Sequence, residues 1–171
     1  MAPANFVKRG VDPAQARALR VEIEEFHAEY CAALDENHIE AWSDFFTADA
    51  LYRVTGRENA DLDMPVGLIY CEGVGMLRDR ATAIAKTEMF APRYLQHHVS
   101  NLRILGIDAD GTVAARANYL VLQTLVDEKT TIHQAGCYFD RFGRQDGRLL
   151  LRERHCVYDT RLLDNSLVLP V

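Results

Sequence analysis

The sequence is poor in the features that would place it in a specialised class. Its 171 residues hold only four cysteines, Cys31, Cys71, Cys137 and Cys156, widely spaced and without a C-x-x-C pair. That argues against a disulfide framework and fits reduced thiols packed as small hydrophobes. No apolar run approaches the length of a membrane span, and Lys8-Arg9 has no apolar stretch after it. Neither a membrane partner nor export is therefore expected, and the cytoplasm is the expected location. Basic residues are outnumbered, with 19 Lys and Arg against 25 Asp and Glu and a net charge of -6. Such a balance lacks the concentrated positive surface that phosphate backbones need, which excludes nucleic acid as the natural partner. Internal repeats and low-complexity segments are absent too.

Motifs of known chemistry are equally scarce. There is no G-x-S-x-G and no phosphate loop, and Gly73-Val74-Gly75 lacks the third glycine of a dinucleotide fingerprint. Glu24-x-x-His27 matches half of a di-iron carboxylate site, but the second copy and the two further Glu residues are missing. His27 and Cys31, four apart, could hold one edge of a metal, yet no other Cys or His pair completes a tetrahedron. His97 and His98 are neighbours on a predicted strand and point to opposite faces, so sharing an ion is difficult. No metal and no cofactor is expected on this chain.

What is present reads as one α+β domain spanning 1–171, with an arm over 1–11 and a tail over 161–171. Asp12-Pro13-Ala14-Gln15 is a helix start, with Asp12 as the cap and Pro13 at the first helical position. Leu19, Ile23, Phe26, Tyr30 and Ala33/Leu34 recur at steps of four and three, the stripe of a helix ending near Asp35. A second helix is predicted from Asn37 to about Asp49, strands over Leu51–Thr55 and Val66–Glu72 flank a polar loop, and a third helix covers Met76–Phe90. From His97 to Asp159 come four long strand-like runs, divided by Asp110-Gly111, Asp127–Lys129 and Gly143–Gly147, which make an antiparallel meander.

Turn lengths allow a register to be guessed for that meander. Pairing Tyr119 with Cys137 and Cys137 with Glu153 puts the odd-numbered residues of its later strands on the face that meets the helices. The other face would carry Arg116, Tyr138, Arg152, Arg154 and Tyr158. Aromatics interleaved with Arg suit a subunit interface. On the helix side the same register gathers Glu153, His155, His133 and Tyr119, where burial could shift pKa values toward acid–base use. Polar residues isolated on long strands more often satisfy one another within a packed core.

The order ααββα followed by four strands resembles the cone-shaped, nuclear transport factor 2-like (cystatin-like) fold, with three N-terminal helices on a long, curved, mainly antiparallel sheet. Within it, Trp42 with Phe46, Asp49-Ala50-Leu51-Tyr52, Met76–Arg80, His97–Asn101, Asn118-Tyr119, Gly136–Asp140 and Arg152-Glu153-Arg154 before Tyr158-Asp159 resemble the small, or β, subunit of aromatic-ring-hydroxylating dioxygenases. The resemblance implies a structural subunit of an α3β3 assembly, touching a large (α) subunit and its own copies in a trimer. It also implies that a Rieske [2Fe–2S] cluster and a mononuclear iron sit on the large subunit. None of the four cysteines here has a His two or three residues after it, as Rieske ligation needs. The tail Asn165–Val171 resembles members acting on aromatic carboxylates. The alternative within the same fold is a stand-alone isomerase or dehydratase using Glu153, His155 or Tyr119 in the cone.

Overall fold

The computed structural model describes residues 6–87, 90–162 and 167–171. Helix α1, Pro13–Asp35, starts where the cap predicts: the Asp12 carboxylate accepts the backbone N–H groups of Ala14 and Gln15 at 3.0 and 2.9 Å. Its buried stripe is Leu19, Ile23, His27, Tyr30, Cys31 and Leu34. The second predicted helix is a shorter 3₁₀ segment, Ile39–Phe45, because Phe46 already turns extended and enters strand β1, Phe46–Gly56. There its ring meets Trp42 and Tyr52 edge-on at 5.4 and 6.0 Å. The polar loop that follows contains the short helix α2, Arg57–Asp61, and strand β2 is only Ile69–Glu72. Helix α3, Gly73–Lys86, ends earlier than its periodicity suggests; residues 88 and 89 of the predicted helix lie outside the described residues.

The meander is present as β3 Arg93–Ile107, β4 Val113–Leu125, β5 Thr131–Gln145 and β6 Arg148–Tyr158. With β1 and β2 it forms one six-stranded sheet in the order β2-β1-β6-β5-β4-β3. All pairs are antiparallel except β1 with β6. Bulges interrupt the ladders within β3, β4–β5 and β5–β6, and each bends its strand, so that the sheet wraps α1 and α3. The main core lies in the concavity between sheet and helices. A smaller cluster of Leu105, Ala114, Cys137, Phe139 and Val157 lies on the outer face, covered by Phe6 of the N-terminal arm. Among the described residues no helix is long and apolar enough to cross a membrane.

The register corrects the sequence reading. Tyr119 faces Gly136 rather than Cys137, and Cys137 faces Val157 rather than Glu153. The β5–β6 turn is two residues, Asp146-Gly147, both at positive φ (52° and 80°), not the five-residue loop assumed from composition. The bulges at Val121/Leu122 and Arg141/Phe142 add further slips. Because side chains alternate along a strand, a one-residue slip inverts the faces. On β4 the odd residues Ala115, Ala117, Tyr119 and Val121 do face the helices, but on β5 it is Tyr138 and Phe142, and on β6 beyond the bulge Cys156. Tyr138 and Arg154, expected on an exposed docking face, are fully buried in the concavity.

Candidate functional site

The centre of the cone is built from three elements. Asp140 and Arg154 face each other across β5 and β6. The guanidinium grips the carboxylate with two hydrogen bonds, Nε to Oδ1 at 2.9 Å and Nη2 to Oδ2 at 2.7 Å. Tyr30 from α1 and Tyr138 from β5 hold that guanidinium between their rings, at 4.2 and 4.1 Å. His27, one helical turn before Tyr30's neighbour Cys31, donates from Nε2 to Asp140 Oδ2 at 3.1 Å. Burial would by itself raise the Asp140 carboxyl, but the charge and hydrogen bonds of Arg154 and the His27 contact outweigh it and hold the group low. Burial lowers the His27 ring below its ordinary value, with the charge of Arg154 adding to the effect and Asp140 opposing it. The ring is therefore neutral at pH 7.

The mouth of the cone is closed over this centre. Val171 is fully buried; its carbonyl accepts hydrogen bonds from the hydroxyls of Tyr30 and Tyr52, each at 3.1 Å, and its N–H donates to Tyr52 Oη at 3.0 Å. Trp42 Nε1 donates to Tyr30 Oη at 2.9 Å, and Arg80 of α3 holds the carbonyl of Val168 at 2.7 Å. A charged pair sealed among tyrosines and the chain's own residues is arranged to fix packing.

The residues singled out for acid–base work do not converge. Tyr119 points inward, stacked on Tyr138 at 4.4 Å with its hydroxyl on Gln134 at 2.6 Å. Glu153 and His155 lie on the opposite, outer face: Glu153 pairs with Arg53 at 2.8 Å, and His155 lines a small cavity of about 150 Å³ under the 60–67 loop. Its pKa is lowered to about 4 by burial and then by the charge of Arg53. Of the residues expected at an interface, Arg116 is half-buried, its Nη2 3.0 Å from Cys137 Sγ and its guanidinium over Phe139. Arg152 bonds Asp110 and Thr112 at 2.8 and 2.9 Å, and Tyr158 is half-buried at the edge of the main core.

One surface feature escaped the sequence reading. Leu62, Met64, Val66, Leu68, Tyr70 and Met76 are all exposed, and they make up half of the exposed large hydrophobic residues among those described. They lie on the loop before β2, on β2 itself, which is a sheet edge, and on the first turn of α3. The signal was there, an apolar residue at every second position from Leu62 to Tyr70 with Ile69 as an extra one, but a polar-loop reading hides it.

Comparison with known proteins places this architecture. A family model described as the ring hydroxylating beta subunit matches residues 30–165. The anthranilate 1,2-dioxygenase small subunit of Burkholderia cepacia is 32% identical over 142 residues, 83% of this chain and 88% of that protein. A beta subunit of the terminal oxygenase component of terephthalate 1,2-dioxygenase from a Comamonas species is 29% identical, over 88% of this chain and 97% of its own. A crystal structure assigned as the beta subunit of an aromatic-ring-hydroxylating dioxygenase from Novosphingobium aromaticivorans superposes with a TM-score of 0.82 and 36% identity, covering 91% of this chain and 99% of that one.

Proposed function

Because the chain belongs to the ring hydroxylating beta subunit family, we propose that it is the structural small subunit of a dioxygenase acting on an aromatic carboxylate. The chain folds as one unit, resides in the cytoplasm, and binds neither nucleic acid nor membrane. Three copies meet three large subunits. The relatives named for anthranilate and terephthalate support a carboxylate-bearing ring as the substrate class. The Rieske [2Fe–2S] cluster and the mononuclear iron belong to the large subunit. The cysteines here do not fit the cluster, since the four stand apart on α1, β2, β5 and β6 and none has a His two or three residues after it.

The observation that carries a docking role is the apolar patch from Leu62 to Met76. A monomer in water seldom leaves so many large apolar side chains uncovered together, and burying them is the main source of association energy. Arg116, Arg152 and Tyr158 are the polar contacts we assign to the same assembly, on the sheet's outer face and at its rim. The test is co-expression with the large subunit, read by light scattering on the purified complex. The expected species is a heterohexamer, and Leu68→Asp with Tyr70→Asp should reduce co-purification at least tenfold while the melting temperature of the free subunit stays within a few degrees. Ring oxidation by the isolated chain, or full assembly of the double variant, would refute the proposal.

A further inference from the structure

The pairing of β3 with β4 sets two like charges against each other, with Arg103 directly opposite Arg116. A bulge makes that match. Between the pairs Ser100–Asn118 and Arg103–Arg116, β3 holds Asn101 and Leu102 where β4 holds Ala117 alone, and Asn101 sits at φ 55°. Without the extra residue Arg103 would fall on the concave side of the sheet. As it stands, Leu102 and Ile104 point into the main core, Leu105 joins the outer cluster, and Arg103 shares the outer face with Arg116.

Like charges opposed on neighbouring strands cost stability unless something neutralises them, and no carboxylate of this chain does so. Among the described residues Arg103 makes no hydrogen bond or ion pair, and the hydrogen-bond partner of Arg116 is Cys137 Sγ, 3.0 Å from its Nη2. Asp108, just past β3, is held by Arg9 and Arg141, and Asp159, just past β6, by Arg57. The two guanidiniums are held differently. Arg116 is half-buried and fixed, 5.6 Å over the Phe139 ring, with an Nη1 that is neither buried nor bonded to the protein. Arg103 is exposed and free to meet a ligand beside it. A carboxylate has two accepting oxygens, one for an N–H from each guanidinium. The same face runs on through Asn118 to Leu120 and Leu122, with exposed Ile132 opposite Leu122 and exposed Tyr94 opposite Thr124. Arginine beside an open apolar sheet face is the composition of a protein interface, whereas a small free anion needs a pocket around it.

The geometry points to the Arg103–Arg116 pair as the receiver of one acidic side chain, Asp or Glu, of the large subunit. The inference rests on the assembly proposed above and adds the chemistry of the partner at this spot. Complexes of the large subunit with wild type, Arg103→Met and Arg103→Glu are diluted at about 50 and about 500 mM salt, their dissociation is followed by light scattering, and each free subunit is melted alongside. Arg103→Met should weaken the complex at least tenfold at the lower salt and flatten its salt dependence. The free subunit should melt no lower, since the variant loses an unpartnered exposed side chain and relieves a like-charge opposition. Arg103→Glu sets the chain's own carboxylate against Arg116. It should raise the melting temperature of the free subunit yet weaken the complex further than Arg103→Met does, because the pair is then satisfied and repels an acidic partner. A merely structural role would move both readings the same way, and lower melting temperatures in both variants would overturn the inference. Complexes of wild-type strength in both variants would overturn it and leave the assembly standing. So would saturable binding of inorganic phosphate by the free subunit that Arg103→Met abolishes. If wild type forms no complex at all, the assembly is refuted and the pairing with it.

Discussion

His155 carries the clearest pH dependence in the molecule. Its folded pKa of about 4 lies below the ordinary histidine value near 6.5, because it is buried and faces Arg53. Above pH 6.5 the ring is neutral in both states and contributes no slope. As pH falls from 6.5 toward 4, the unfolded chain takes up a proton that the folded one refuses, so stability is lost across that window and the loss levels off below it. The expected cost is about 2–3 kcal/mol at pH 4 relative to pH 7. Urea unfolding of wild type and His155→Leu at both pH values checks it: the stability difference between the two proteins should shift in the variant's favour by that amount at the lower pH. Residue by residue, the sequence indicated which side chains were unusual but not what they touch. Glu24-x-x-His27 drew attention to His27, yet its partner Asp140 is 113 residues away, and nothing local announces that contact.

At the scale of elements, the helices and strands follow from caps and periodicity, while the pairing of the strands does not. The stripe on α1 and its Asp12 cap were legible because both are set within a few residues. Asp146-Gly147 was also a legible signal, since Asp-Gly supplies the two positive φ values of a tight hairpin turn; counting the neighbouring polar residues as loop lengthened it. The bulges could not be read. They arise from how β4, β5 and β6 wrap the helices together. Gly136 marks one such close approach: a Cβ there would stand 2.2 Å from the Val157 carbonyl oxygen and 2.8 Å from Tyr158 Cα. Both are backbone atoms of the paired strand and cannot swing aside. Gly136→Ala should therefore cost roughly 3 kcal/mol, more than a surface glycine replacement, and chemical denaturation measures it. Gly75→Ala, where a Cβ meets nothing within 4 Å, is the control.

For the molecule as a whole, the cone is a closed body. The residues 167–171 reach back over its mouth, and Tyr52 binds Val171 through both its donor and its acceptor capacity. Tyr52→Phe leaves the buried Val171 N–H without its acceptor, while the carbonyl keeps the Tyr30 hydroxyl, and should destabilise by roughly 1–3 kcal/mol. Native-state hydrogen exchange should show the Val171 amide opening at least tenfold more often, while core amides of β5 slow or quicken only in step with global stability. With the mouth shut and the Asp140–Arg154 pair sealed beneath it, the surface is where this subunit meets its surroundings. What the sequence determined by itself was the inventory: the class of fold, the order of elements, the family resemblance, and the missing Cys–His spacing of a Rieske centre. These depend on composition, periodicity and spacing within a few tens of residues. Which residues lie inside and which outside was decided only by the tertiary structure. A strand alternates with period two, so a single bulge or a shorter turn exchanges the faces, and no local pattern counts the residues between two distant strands. That exchange moved Tyr138 and Arg154 into the core and put His155 and Glu153 on the outer face.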